Sequence, residues 1–264
     1  ALAIFSGSSS QGPDYQNYIW MIDRIMKESE FHSQVLAAKD VMFGIIVWIV
    51  QPENRDEYFL VILCTLLIAS LHRFFLAYEL GLRFFLYFPI YIILLAPGLD
   101  FAAIRSLLAL SIVTIYLCFN RFRLFFILIS VLSHLSIIPI WIFLSDKFQN
   151  STYRYSKWLV GFIILFGSFS IIQFLGYLPQ TETYIDLQGS WLQFFRVFSI
   201  LLPLYFLAVE YDKLNEDIDL TQKLLNLSLF LSVVALGTID VAVASNRYYE
   251  MACFFALIAI FTIK

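Results

Sequence analysis

The chain has 264 residues, of which 61% are hydrophobic and 18% aromatic, with a formal net charge of −3. Soluble domains are nearer half apolar and carry those residues in stripes rather than unbroken runs, so this composition excludes an ordinary water-soluble domain. The net charge carries no information on partners, because in a membrane protein the distribution of charge between the two faces matters more than its sum.

Backbone N–H and C=O groups in lipid must be satisfied within their own segment, and a helical span takes about 20 mostly apolar residues. The chain opens on ALAIF, which reads as the tail of a preceding span, and continues into a polar stretch over 6–35. Within it DYQNYIWMIDRIMKESE (14–30) alternates Tyr15, Tyr18, Ile19, Ile22, Ile25 and Met26 with charges at helical spacing. That pattern predicts an amphipathic helix along the bilayer surface, with Tyr and Trp as interfacial anchors. Apolar segments follow at 36–51, 58–71, 83–97, 100–119, 123–145, 158–176, 191–209, 222–243 and 247–263. The longer polar breaks are 146–157, 177–190 and 210–221. The expected fold is therefore all-α, a single polytopic transmembrane domain over 1–264 with roughly nine to eleven transmembrane helices. Cys64, Cys118 and Cys253 lie inside apolar runs and read as core packing rather than as a metal or disulfide framework.

An ionised side chain at the middle of a membrane costs about 2.5–3.5 kcal/mol on insertion scales, so each one asks for a reason. Lys39 and Asp40 are adjacent and point about 100° apart on a helix, which makes them poor partners for each other; each must reach another span or the surface. Arg105 follows Pro97, Gly98 and a potential cap at Asp100, a setting in which free helix amides and a guanidinium form an anion site suited to phosphate or pyrophosphate. The plain alternative is an interfacial arginine that snorkels to headgroups. His134 sits within an apolar run five residues before Pro139, where the helix can break; it is either a base for a substrate hydroxyl or a buried imidazole satisfied by Ser133 or Ser136. SNRYYEM (245–251) repeats the arginine device: Ser245 or Asn246 as cap, Arg247 as cation, Tyr248 and Tyr249 as flat faces on which a sugar can stack. Asp240 reads as a packing or cavity residue.

GPDYQNY near the start, AAIRSLLALSI, RFRLFFILISVLSHLSIIPI and the late Asn-Arg-Tyr-Tyr together resemble the Wzy/EpsG family of bacterial membrane polymerases of O-antigen and exopolysaccharide. The resemblance implies Asp14 and Tyr15 for the family's Asp-Tyr motif, Arg105 for the arginine that opens a span, His134 for the histidine in the next, and Arg247 with Tyr248 for the late arginine before aromatics. Ser106 stands where Gln is common, and Leu135-Ser136-Ile137 only approximates the usual small residues. The implied fold is GT-C-like. The implied protein is a metal-independent, multi-pass glycosyltransferase of the bacterial inner membrane with its site toward the periplasm. It would extend a glycan on undecaprenyl pyrophosphate by attack of a hydroxyl from the next lipid-linked repeat unit. A flippase and a chain-length regulator are the expected protein partners, and no cofactor, metal or nucleic acid is expected.

The residue chemistry matches that reaction. A departing diphosphate needs positive charge, which Arg105 and Arg247 can supply, and the acceptor hydroxyl needs a base, for which His134 or Asp14 serves. Strict alternation of nine spans puts Arg105 and Arg247 on opposite faces; a break in 123–145 between His134 and Pro139, with the segment dipping in and returning, brings Arg105, His134 and Arg247 toward one side. The rival readings are a transporter or flippase of lipid-linked glycans and, behind it, a membrane acyltransferase.

Overall fold

The computed structural model describes residues 15–38, 40–100, 103–119, 121–145, 191–214, 220–238 and 242–263. Every element among them is helical. The expected span at 158–176 and the loop at 177–190 lie outside the described residues, as do Asp14, Lys39 and Asp240. The chain divides into two compact units, Ala1–Ile138 and Pro139–Lys264.

The first unit starts with α1 (Tyr15–Met26), which buries Tyr18, Met21, Ile22 and Ile25 and leaves Trp20 and Arg24 outward. The buried set repeats every three or four residues, the spacing of one helix face. Arg55 holds the outer face of α1 through Asp23, whose carboxylate also accepts a hydrogen bond from Tyr58 at 2.8 Å. A short α2 (Phe31–Ala37) packs closely against α3 (Val41–Val50). The approach leaves no room for a side chain at Gly44: a Cβ there would lie 2.8 Å from the Ala38 Cβ and 3.1 Å from the Val35 Cα.

From Arg55 to Leu94 the chain is one long apolar helical stretch. It contains α4 (Tyr58–Ala69), α5 (His72–Leu80) and α6 (Phe84–Leu94), bent at Ser70–Leu71 and at a tight turn over Gly81–Arg83. Gly81 has φ +55, a conformation in which a Cβ is strained, so glycine supplies the second bend. The polar-looking LHRFF and YELGLR at these bends conceal α5 in the sequence, where 58–71 and 83–97 read as separate spans with nothing between them. After the single turn α7 (Ala96–Leu99) comes α8 (Ile104–Phe119), the central helix of the unit, buried through Ile104, Leu107, Leu108, Leu110 and Val113. α4, α5 and α9 (Arg123–Ser133) pack against it. α6 instead exposes Phe85, Leu86, Ile90, Ile93 and Leu94, a face suited to lipid rather than to water.

The expected break in 123–145 is present. α9 ends at Ser133, His134 is extended (φ −169, ψ 125), a 3-10 turn covers Leu135–Ile137, and α10 (Ile138–Phe143) resumes.

In the second unit α11 (Trp191–Leu214) and α12 (Leu220–Gly237) each contain a stretch long and apolar enough to cross a membrane. α12 and α13 (Ala242–Thr262) form a close hairpin. Buried Ala235, Gly237, Ala252 and Ala259 keep the side chains in that hairpin small, the means by which helices approach in lipid. Ser245 clips the pair by donating to the Ala235 carbonyl at 2.8 Å. α11 leaves Phe195, Phe198, Leu202, Tyr205 and Phe206 exposed. The three cysteines carry free thiols.

The α1 clamp has a pH signature. Hydrogen bonds from Arg55, and after it Tyr58, hold the Asp23 carboxyl below its ordinary 3.8. A lowered folded value stabilises the fold above the unfolded pKa, and that contribution is lost as pH falls through the folded value. Proteolysis of α1 should therefore be unchanged from neutral pH to 5 and increase below 3.8, and Asp23→Asn should remove the acid step by making the segment equally susceptible throughout.

Candidate functional site

In the first unit Arg105 and His134 meet on one buried carboxylate, that of Asp40. Asp40 stands immediately before α3, where the tight packing of α2 on α3 at Gly44 fixes its backbone. Its Oδ2 accepts a hydrogen bond from Arg105 Nη1, and its Oδ1 lies 3.2 Å from His134 Nδ1. Three separate stretches of chain thus meet at a single side chain: the α2–α3 turn, the mouth of α8 and the break after α9. The Asp40 side chain is 5% exposed, whereas those of Arg105 and His134 are 22% and 24% exposed. The carboxylate lies beneath, and the guanidinium and the imidazole reach outward from it.

Arg105 is the second residue of α8. A cation at a helix N-terminus opposes the helix dipole, which favours negative charge there. The Asp40 carboxylate compensates both the guanidinium and the helix end. Below, the Arg105 Cζ stands 5.8 Å from the centre of the Tyr18 ring, a cation–π distance. The Tyr18 ring packs in turn on Phe43 of α3, with centroids 5.8 Å apart. Arg105 Nε is buried without a hydrogen-bond partner among the described residues. A buried unpaired donor costs about 1–3 kcal/mol, so a ligand oxygen beside this edge of the guanidinium would relieve a standing penalty.

His134 owes its position to the helix break. Its extended backbone ends α9 and swings the ring toward Asp40. With Nδ1 donating to the carboxylate, the imidazole is held in the tautomer whose Nε2 carries a lone pair and can accept a proton. Serine satisfaction, the plain alternative, is not the arrangement found. Ser133 Oγ donates to the Ile129 carbonyl at 2.7 Å, and Ser136 Oγ is buried without a partner among the described residues.

The structure thus brings Arg105 and His134 together and adds Asp40, to which the motifs do not point, and Tyr18, the last residue of GPDYQNY. Tyr15 opens α1 and is half-buried; it is Tyr18, one turn on, whose ring meets the arginine. The Asp100 cap is corrected. α8 starts at Ile104, too far on for Asp100 to occupy the cap position, and both Asp100 oxygens are engaged by Arg73 and Tyr91.

The late arginine motif is also rearranged. α13 begins at Ala242, so Ser245 and Asn246 lie inside the helix rather than capping it. Arg247 pairs with Glu250 one turn on, Nη1 to Oε2 at 3.1 Å, and Tyr248 is half-buried beside it. The cation on the Tyr249 ring is Arg196 of α11, with Cζ 4.4 Å from the centroid and Nη1 donating to Asn246 Oδ1 at 3.3 Å. Arg247, Tyr248 and Arg196 all belong to the second unit.

The model of the EpsG family matches residues 1–264, the whole chain. The chain belongs to the EpsG family. Membership makes it a membrane-embedded protein of the polysaccharide-polymerase kind, in keeping with the helical structure and its long apolar stretches. No curated protein and no solved structure matches this EpsG-family chain.

Removing one partner of a buried ion pair costs about 3–5 kcal/mol, because the other charge is left uncompensated. Asp40→Ala should therefore lower thermal stability in lipid nanodiscs by more than Arg105→Met. The double variant Asp40→Ala/Arg105→Met should recover much of the loss, as a double-mutant cycle on thermal unfolding would register. Strictly additive losses would mean that the two side chains do not share an interaction.

Proposed function

We propose that this chain is a metal-independent glycosyltransferase that polymerises undecaprenyl-pyrophosphate-linked oligosaccharide repeat units in the bacterial inner membrane, with its site open to the periplasmic side. Family membership supports the polymerase class. The observation that carries the chemical reading is the shared carboxylate, which engages a partly exposed guanidinium and a partly exposed imidazole at once.

In this reading Arg105 holds the diphosphate of the donor lipid. One of its nitrogens is committed to Asp40, and the remaining N–H groups, the buried Nε among them, are directed to phosphate oxygens. The bond between the anomeric carbon of the growing glycan and the diphosphate oxygen breaks, and the electron pair leaves with the lipid diphosphate. The acceptor hydroxyl of the next repeat unit forms the new bond to that carbon, and its proton passes to His134 Nε2. Asp40 touches neither substrate; it keeps the imidazole oriented and stabilises the imidazolium that results. Positive charge fixed in advance at the departing diphosphate is worth more in a low-dielectric site than in water.

The finer architecture is part of the same proposal: a GT-C-like arrangement of nine to eleven spans in which 123–145 enters and returns at the His134 break. Arg247 and Tyr248 are assigned to binding of the glycan or its diphosphate, and Asp14 and Tyr15 to contact with the sugar. The lipid-linked donor and acceptor are the substrates, and a flippase and a chain-length regulator are the protein partners.

Purified chain mixed with undecaprenyl-pyrophosphate repeat units and no added metal should give a ladder of longer lipid-linked glycans. Arg105→Ala should abolish it. His134→Ala should cut turnover by about 10²–10⁴, the usual contribution of a positioned base, while binding of the lipid diphosphate persists. A wild-type protein that makes no ladder would contradict the reading, as would a His134→Ala variant whose loss of product follows entirely from loss of binding.

A further inference from the structure

A second intramembrane ion pair lies apart from the site just described. Arg73 on α5 is 11% exposed at its side chain, and Asp100, which follows α7, is fully buried. Arg73 Nη2 donates to Asp100 Oδ1 and, at 3.3 Å, to the Tyr91 hydroxyl; Nη1 donates to Ser70 Oγ at 3.1 Å. The Tyr91 hydroxyl donates to Asp100 Oδ2 at 2.6 Å, and the Arg73 Cζ lies 5.1 Å from the Tyr91 ring centroid. Both carboxylate oxygens are thus engaged.

Replacing a buried ion pair by apolar residues of similar size is often neutral or stabilising, so stability alone is a poor reason to place one inside a membrane. Its location supplies another. Asp100 lies five positions before Arg105. Six positions after Arg105, Ser111 Oγ donates to the Ala69 carbonyl and sits 2.9 Å from His72 Nδ1. Ala69, Ser70, His72 and Arg73 all belong to the α4–α5 bend. One bend therefore grips the chain on both sides of Arg105, in the turn ahead of α8 and in its second turn. Asp40 and Tyr18 secure the tip of the arginine; this grip secures its root.

We infer that the Arg73–Asp100–Tyr91 clasp is a positioning element that sets where the Arg105 guanidinium sits, an inference that rests on the proposed role of Arg105. The clasp is a neutral set of groups with no described contact to Arg105 itself, so its effect is geometric rather than electrostatic. Misplacing a catalytic group by about 1 Å is enough to cost up to a hundredfold in rate.

The test uses the full chain in lipid nanodiscs. Asp100→Asn should lower turnover by about tenfold to a hundredfold in the wild-type background and cause no further loss in an Arg105→Lys background, because it acts through that arginine. A merely structural role would multiply the two losses, and that result would overturn the inference. A second readout needs no activity: the ring ¹⁵N signals of His134 in histidine-labelled protein report its bond to Asp40. Asp100→Asn should move those signals in the same direction as Arg105→Lys does; wild-type signals in a folded Asp100→Asn protein would also overturn the inference. If Asp100→Asn does not fold, Tyr91→Phe, which retains the ion pair, should show the same pattern with a smaller loss of about two- to fivefold. A wild-type protein that makes no polymer but shows the ¹⁵N changes would refute the polymerase reading and leave the clasp standing.

Discussion

A carboxylate inside a membrane protein is tolerable only in cationic or hydrogen-bonding company, and the geometry of the first unit follows from how Asp40 obtains it. Its two oxygens are divided between Arg105 and His134, residues that reach it from α8 and from the break after α9. Neither side chain could stand alone there at low cost. The arginine opposes the dipole of its own helix, and the histidine depends on an interruption in an apolar helix. The shared acid compensates both, and it leaves the two side chains partly exposed. The same contact that satisfies an expensive buried charge therefore also sets a guanidinium beside an imidazole.

The surrounding backbone is irregular where this arrangement needs it. Gly44 lets α2 and α3 approach closely enough to fix the turn that carries Asp40. The helix stops at Ser133 so that His134 can leave the helical path. The bend at Ser70–Leu71 presents Ser70 and Arg73 to the turn before α8, and the Ala69 carbonyl to Ser111. Lipid has no water to satisfy interrupted backbone, so such breaks are expected only where protein packs around them, and here they cluster around the polar network. The exposed apolar face of α6, formed by Phe85, Leu86, Ile90, Ile93 and Leu94, takes no part in it.

Much of this was legible in the sequence, and for physical reasons. Apolar runs identify membrane helices because the bilayer imposes both length and composition, and the amphipathic period of 14–30 is realised in α1 with Tyr18, Ile22 and Ile25 inward. Arg105 and His134 stand out because a charge or an imidazole in such runs demands an explanation, and Pro139 marks the neighbourhood of the break. What the sequence could not disclose were pairings. Asp40 and Arg105 are 65 residues apart, and Asp40 and His134 are 94 apart. No local spacing records such contacts, so Asp40 read as a charge in search of an unnamed partner. α5 was hidden because its His72, Arg73 and Glu79 look like a loop, whereas His72 and Arg73 turn inward to the bend and to Asp100. Ser245 and Asn246 resemble a helix cap by type, but the packing of α13 on α12 extends the helix past them and uses Ser245 as an interhelical clip.

The most direct test of this account is a solid-state NMR distance measurement on the chain in lipid bilayers, between the Asp40 side-chain carbon and the labelled side-chain nitrogens of Arg105 and His134. The account predicts strong dipolar coupling from that one carbon to both residues in the same preparation. Coupling to only one of them, or to neither, would contradict it.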